Sequence, residues 1–234
     1  MSTPQFTTAP TAARSTTAAR SFVANVFGWM FVGLGITAGL AAFFSSQNNM
    51  LAYFEQHEGL FLGVIVVQLG LVIALVAGLN KFSLSTARLL FCLYAATVGF
   101  TFSILFEMYS SGTIASTFAV TAGMFGSAAV LGWVTKKDLT IVRQVALFLV
   151  VGLILSIIVN WFVGSSTLDY VISFVGVIVF TALTAYDTQK IKQIAAGATG
   201  EGEAEGKVAI IGAFTLYLDF INLFLFALRF TGGR

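Results

Sequence analysis

Three observations predict an all-α integral membrane protein with seven transmembrane helices. Of the 234 residues, 58% are hydrophobic and 9% charged, against about 25% charged in typical soluble domains. With mean hydropathy at +0.94, too little charge remains to cover a water-facing surface. The apolar residues fall into seven stretches of about 20 residues, each enough to cross about 30 Å of hydrocarbon at about 1.5 Å per residue. The cations gather at alternate connections between these stretches.

Residues 1–21 hold Ser, Thr, Ala, Pro and two arginines but no acid. They read as a disordered cytoplasmic tail, or as an organelle transit peptide of the same composition. No short apolar region with a cleavage site precedes the first long stretch. The seven stretches are placed at 22–45, 60–79, 87–109, 113–134, 142–163, 169–190 and 208–230. Short connections leave room for one domain only, 22–234. Gly35 and Gly39 form a GxxxG in the first stretch, and Gly152, Ser156 and Asn160 follow at i, i+4, i+8 in the fifth. Such spacing serves internal helix packing or homodimerisation.

Arg14, Arg20, Lys81, Arg88, Lys136, Lys137, Arg143, Lys190, Lys192 and Lys207 all flank the same side, ten of the twelve Lys and Arg. The other side's loops carry Glu55, Glu58, Glu107 and Asp169. The positive-inside rule then puts the N-terminus in the cytoplasm. Arg229 and Arg234 are the exception. A full seventh crossing puts them outside, whereas a re-entrant last segment returns them to the cytoplasm; segment length favours the crossing.

Polar residues inside the stretches carry the functional signal. An ionised Asp at the bilayer centre costs about 2.5–3.5 kcal/mol on insertion scales. Two are present, Asp187 near the end of the sixth stretch and Asp219 in the middle of the seventh. Thr215, Asp219 and Asn222 recur at i, i+4, i+7 and share a helix face. Thr181, Thr184 and Asp187 recur at i, i+3, i+6, roughly one face, and Gln68 lies at the centre of the second stretch. Facing inward, these stripes make a polar seam. Two carboxylates that meet there share a proton. Titration of such a pair near physiological pH biases a two-state element, and its anions draw a hard cation such as calcium. Depth is the obstacle. Asp219 lies twelve residues past Lys207, about 18 Å along a straight helix, whereas Asp187 lies three before Lys190. The pair meets only if the membrane boundary lies beyond Lys190, with Lys190 and Lys192 snorkelling outward, or if the seventh segment starts deeper.

Other chemistry is not signalled. No basic patch with interleaved aromatics points to nucleic acid. A single cysteine, Cys92, excludes an intrachain disulfide or a CxxC site. No Ser/His/Asp set, HExxH or P-loop is present, and neither aspartate sits in the GxGD context of intramembrane proteases. No enzyme activity and no cofactor are expected. His57 reads as an exposed loop residue, Lys136-Lys137-Asp138 as an ordinary turn, and Glu201, Glu203 and Glu205 as a flexible linker.

The motifs Thr184-Ala-Tyr-Asp-Thr-Gln-Lys190 and Leu216-Tyr-Leu-Asp-Phe-Ile-Asn-Leu-Phe-Leu225, with Thr135-Lys-Lys-Asp-Leu139 after the fourth stretch, resemble the signature of the Bax inhibitor-1 family. The likeness runs from about residue 20 onward and is greatest to bacterial inner-membrane members. It implies a central last helix wrapped by the other six. It also implies a pH-regulated calcium leak with Asp187 and Asp219 as sensor. Some members add an acidic residue in the second helix and a basic latch at its cytoplasmic end, where the nearest residues here are Gln68 and Lys81. The expected partners are the lipid bilayer, calcium and protons. A bacterial branch resembles a modulator of a membrane-anchored AAA+ protease, so the alternative is a non-conducting interaction protein.

Overall fold

A computed structural model describes residues 11–47, 50–79, 81–199 and 202–232. They form α1 (Thr11–Ser45), α2 (Met50–Gln56), α3 (Glu58–Ala77), α4 (Leu84–Phe102), α5 (Leu105–Met108), α6 (Ser111–Val134), α7 (Thr140–Val163), α8 (Ser166–Ala195) and α9 (Glu203–Gly232), with no strand among the described residues. Among the described residues seven spans are long and apolar enough to cross a membrane, α4 and α5 together making the third. The fold is thus an all-α membrane bundle. Residues 1–10 of the expected tail lie outside the described residues, and α1 is already helical from Thr11 rather than from 22.

Serine and glycine set the helix ends. Ser83, Ser110 and Ser165 each accept a hydrogen bond from the backbone N–H three residues on, at Thr86, Thr113 and Leu168, which satisfies a first-turn donor. Gly164, at φ +65°, closes α7 in the left-handed conformation that costs glycine least. The third span breaks where Thr101 and Ser103 hydroxyls donate to the carbonyls of Val98 and Phe100. Such back-bonding competes with the helix ladder and bends it.

The last helix is central. Of the most apolar part of α9, 61% is buried, against 6% for α3. Helices α1, α4, α6 and α8 pack directly on α9, while α3 lies outside α4 and α7 outside α8. The core is an aromatic stack: Phe214 and Tyr217 of α9 meet Phe91 edge-on, and Phe220 meets Phe125. The buried Thr37 hydroxyl donates to the Ala95 carbonyl, 2.9 Å. Its single proton is then used, so the Tyr217 hydroxyl donates to Thr37 over 2.7 Å. This chain of bonds ties α1, α4 and α9 together. The outer surface is apolar, with Phe148, Trp161 and Phe162 standing out from α7, as lipid contact requires.

Alternation of the spans collects the cations at one end, the basic end, and Glu55, Glu107 and Asp169 at the other. Arg229 lies 3.6 Å from Asp169 at that other end. Helix α9 runs unbroken for 30 residues, about 45 Å. The last segment is therefore a full crossing and not re-entrant, and the misplaced Arg229 cation is offset by a carboxylate. Arg234 lies outside the described residues.

Two local expectations are corrected. Gly35 and Gly39 face outward with nothing within 4 Å of an added Cβ, so this GxxxG packs no helix of the same chain. Close approach instead uses Gly99 against Thr37, and Gly132 against Ala185. Glu203 and Glu205 are not linker residues but the first turn of α9, where acids favour the helix dipole. Glu203 accepts from the Leu84 N–H at 2.9 Å and pairs with Lys207 at 3.3 Å; Glu201 lies outside the described residues.

Candidate functional site

Antiparallel packing of α8 on α9 fixes which residues meet. Ile191 borders Gly212, and Phe180 stacks on Phe226 with centroids 5.7 Å apart. Between these contacts Asp187 falls beside Asp219, and their carboxyl groups lie within hydrogen-bonding reach. This register sets the two aspartates level. Helix α8 continues past Lys190 to Ala195, so Asp187 lies about 12 Å inside its end.

Both aspartates line a cavity of about 420 Å³ between α7, α8 and α9, with Arg143, Thr215 and Asn222. Its other walls are apolar, among them Leu147, Val150 and Ile154 of α7. Asp219 is only 4% exposed, and its Oδ2 receives no hydrogen bond from an N–H or O–H of the described residues. Asp187 is half-buried. A buried carboxylate without donors is costly. The one partner in reach is a second carboxylate, and a hydrogen bond between two carboxyl groups exists only if one carries a proton. The geometry therefore suits a shared proton.

The two polar stripes fare differently, and helix geometry explains why. At about 100° per residue, Thr215, Asp219 and Asn222 stay within an arc of about 60°, and all three line the cavity. The Thr215 hydroxyl donates to the Ile211 carbonyl, and the Asn222 amide to that of Leu218, so the Asn222 carbonyl oxygen is left to serve the cavity. On α8, Thr181 lies about 120° around the helix from Asp187. It lines a separate groove against α6. Thr184 is fully buried and donates to the Phe180 carbonyl at 2.8 Å; it is not among the cavity's lining residues. The α8 stripe is thus not one face.

Gln68 and Lys81 are not brought to the aspartates either. Helix α3 packs on the outside of α4, and there Gln68 donates to Thr101 at 3.4 Å. Lys81 is exposed in the turn before α4. Among the described residues no group of three or more His, Cys, Asp or Glu side chains converges on a metal-sized site. Calcium, which takes six to eight oxygens, would find two carboxylates, the oxygens of Asn222 and Thr215, and water.

Sequence reasoning passed over two residues. Arg143 was read only as a topology-setting charge. It is the cation of the cavity, 5.4 Å from the Tyr186 ring and acting through space on Asp187. The available signal was a lone charge inside the predicted fifth stretch. Gln189, 6% exposed, clamps the connection between α6 and α7. Its amide donates to the Lys137 carbonyl at 2.8 Å, and its oxygen accepts from the Leu139 N–H at 3.0 Å. Next to this clamp, the Thr140 hydroxyl and N–H both donate to Asp138 and hold its carboxyl below the usual carboxylate range. Replacing Gln189 with Ala removes two buried bonds, a loss of about 1–3 kcal/mol. Trypsin cleavage after Lys136 and Lys137 in detergent is expected to accelerate severalfold; an unchanged rate would show that the clamp does not hold the turn.

Comparison with known proteins agrees with this architecture. A family profile described as "Inhibitor of apoptosis-promoting Bax1" matches residues 19–234. The inner membrane protein YbhL of Escherichia coli K12 is 41% identical over 216 residues, 92% of each chain. An uncharacterised protein of Deinococcus radiodurans is 45% identical over 92% of this chain and 91% of its own. An uncharacterised membrane protein of Streptococcus pyogenes is 30% identical over 90% and 92%.

Proposed function

This chain belongs to the Bax inhibitor-1 family, and from that premise we propose that it is a pH-sensitive calcium or cation leak pathway gated by the Asp187–Asp219 pair. The observation that carries the reading is the buried Asp219 oxygen that no donor among the described residues reaches, beside a second carboxyl in a cavity of about 420 Å³. Such an arrangement is costly unless used. Site and ion are matched for transit: two carboxylates draw a hard cation but are too few to retain it. On the α6 side Phe220 and Phe224 of α9 pack against Phe118 and Phe125, and in this reading conduction needs a shift of α9. The named location of the E. coli relative supports an inner membrane, and in this reading the charge rule favours the basic end and N-terminus on the cytoplasmic side. The reading is of a conduit, not an enzyme.

The test is calcium flux into proteoliposomes of the purified full chain at several pH values. Flux above that of empty vesicles, varying with pH, is expected. Absence of flux at every pH would refute the leak reading and leave the non-conducting partner of a membrane protease as the alternative.

A further inference from the structure

Arg143 is the one cation among the residues lining the carboxylate cavity. None of the neighbouring cations lines the cavity. Lys192 donates to the Trp133 carbonyl and lies over that residue's ring. Arg88 of α4 sits 5.2 Å over Trp29, Lys207 of α9 pairs with Glu203, and Lys190 of α8 is exposed. Arg143 comes from the first turn of α7, at the basic end of the cavity, and its guanidinium lies over the ring of Tyr186, the residue next to Asp187. A planar guanidinium over an aromatic face is held in position without consuming a carboxylate. A positive charge so placed repels any metal ion approaching the two aspartates while attracting their negative charge.

We propose that Arg143 is a tethered counter-cation that competes with divalent metal for the Asp187–Asp219 cavity, with the Tyr186 ring as the residue that positions it. This rests on the proposed leak reading for its purpose but not for its measurement. A permeant ion must displace the influence of Arg143 to reach the carboxylates, so the residue sets how tightly the cavity holds the ion. Strong retention blocks a leak as surely as exclusion does, and a fixed cation lowers retention without closing the path.

The experiment is calcium binding to the purified full chain in detergent, by titration calorimetry with calcium alone. Arg143→Gln is expected to lower the calcium Kd by about three- to tenfold, the size of one partly screened charge near the ion. Arg143→Lys, which keeps the charge, is expected to bind as wild type does. Tyr186→Leu, which frees the guanidinium, should shift Kd in the direction of Arg143→Gln by less, and Tyr186→Phe should not. Adding Asp219→Asn to Arg143→Gln should abolish the gain. The inference is overturned if Arg143→Gln binds calcium no more tightly than wild type, or if Arg143→Lys behaves like Arg143→Gln. Flux separates the two claims. Tightened binding in Arg143→Gln without wild-type flux sinks the leak and keeps the counter-cation; pH-dependent flux with unchanged binding does the reverse.

Discussion

Asp219→Asn is expected to abolish the pH dependence of calcium flux, and Asp187→Asn to do the same. In the proposed gate the pair shares a proton, because Asp219 Oδ2 meets no other donor among the described residues. The packed form, with α9 against α8, therefore binds this proton. An open form that admits water lets both carboxyls ionise and binds fewer protons. By linkage, the state that binds fewer protons gains as pH rises. Loss of the proton also leaves two anions side by side, which repel each other and attract calcium. Both effects have the same sign, so wild-type flux rises with pH, by at most about tenfold per unit for one proton. Asparagine at either position donates its own amide hydrogen to the remaining carboxylate, and no shared proton is left to lose. A proteoliposome flux series shows this as a flat profile. Wild-type flux that falls as pH rises, or Asn variants that retain the wild-type slope, would contradict the gate.

Gly132→Val is expected to give the largest loss of stability. A Cβ at Gly132 would collide with the Ala185 carbonyl group, lying 2.8 Å from its carbon and 3.0 Å from its Cα. Backbone cannot swing aside as a flexible side chain does, so α6 and α8 must separate. Overpacking of this kind costs about 1–3 kcal/mol, and here at least the upper part of that range. Ala185 lies two residues before Asp187, so the displacement also reaches the carboxylate pair. Gly35→Val is the control on the same scale: nothing lies within 4 Å of that position, and its effect should stay within about 0.5 kcal/mol. Thermal unfolding in detergent distinguishes the two. Equal melting temperatures for Gly132→Val and Gly35→Val would show that α6 and α8 are not in the contact described.

Most of the architecture was legible in the sequence because membrane spans obey simple physics. Length and hydropathy located the seven crossings, and α9 gave a correct polar face because the i, i+4, i+7 spacing of Thr215, Asp219 and Asn222 closes on itself over two turns. The i, i+3, i+6 spacing of Thr181, Thr184 and Asp187 does not, and that stripe winds away from the cavity. Helix ends were harder to read. Helix α8 reaches Ala195 and α9 starts at Glu203, in polar sequence where hydropathy has no signal, and it is the register of the two helices, seen at Ile191–Gly212 and Phe180–Phe226, that sets the aspartates level. The short α2 and the break between α4 and α5 were not anticipated, since Ser and Thr back-bonds act within apolar sequence. Arg143 escaped notice because a charge at a span's edge reads as topology, whereas only the packing of α7 on α8 turns it toward Asp187.

Infrared spectroscopy tests the central claim most directly, because it detects the proton itself. With the protein in lipid at neutral pH, the carboxyl C=O band of a buried protonated acid is predicted in wild type, vanishing in Asp187→Asn and Asp219→Asn and fading in wild type as pH is raised. A wild-type spectrum with only ionised carboxylates at neutral pH, or a protonated band that survives both substitutions, would contradict a proton shared between Asp187 and Asp219.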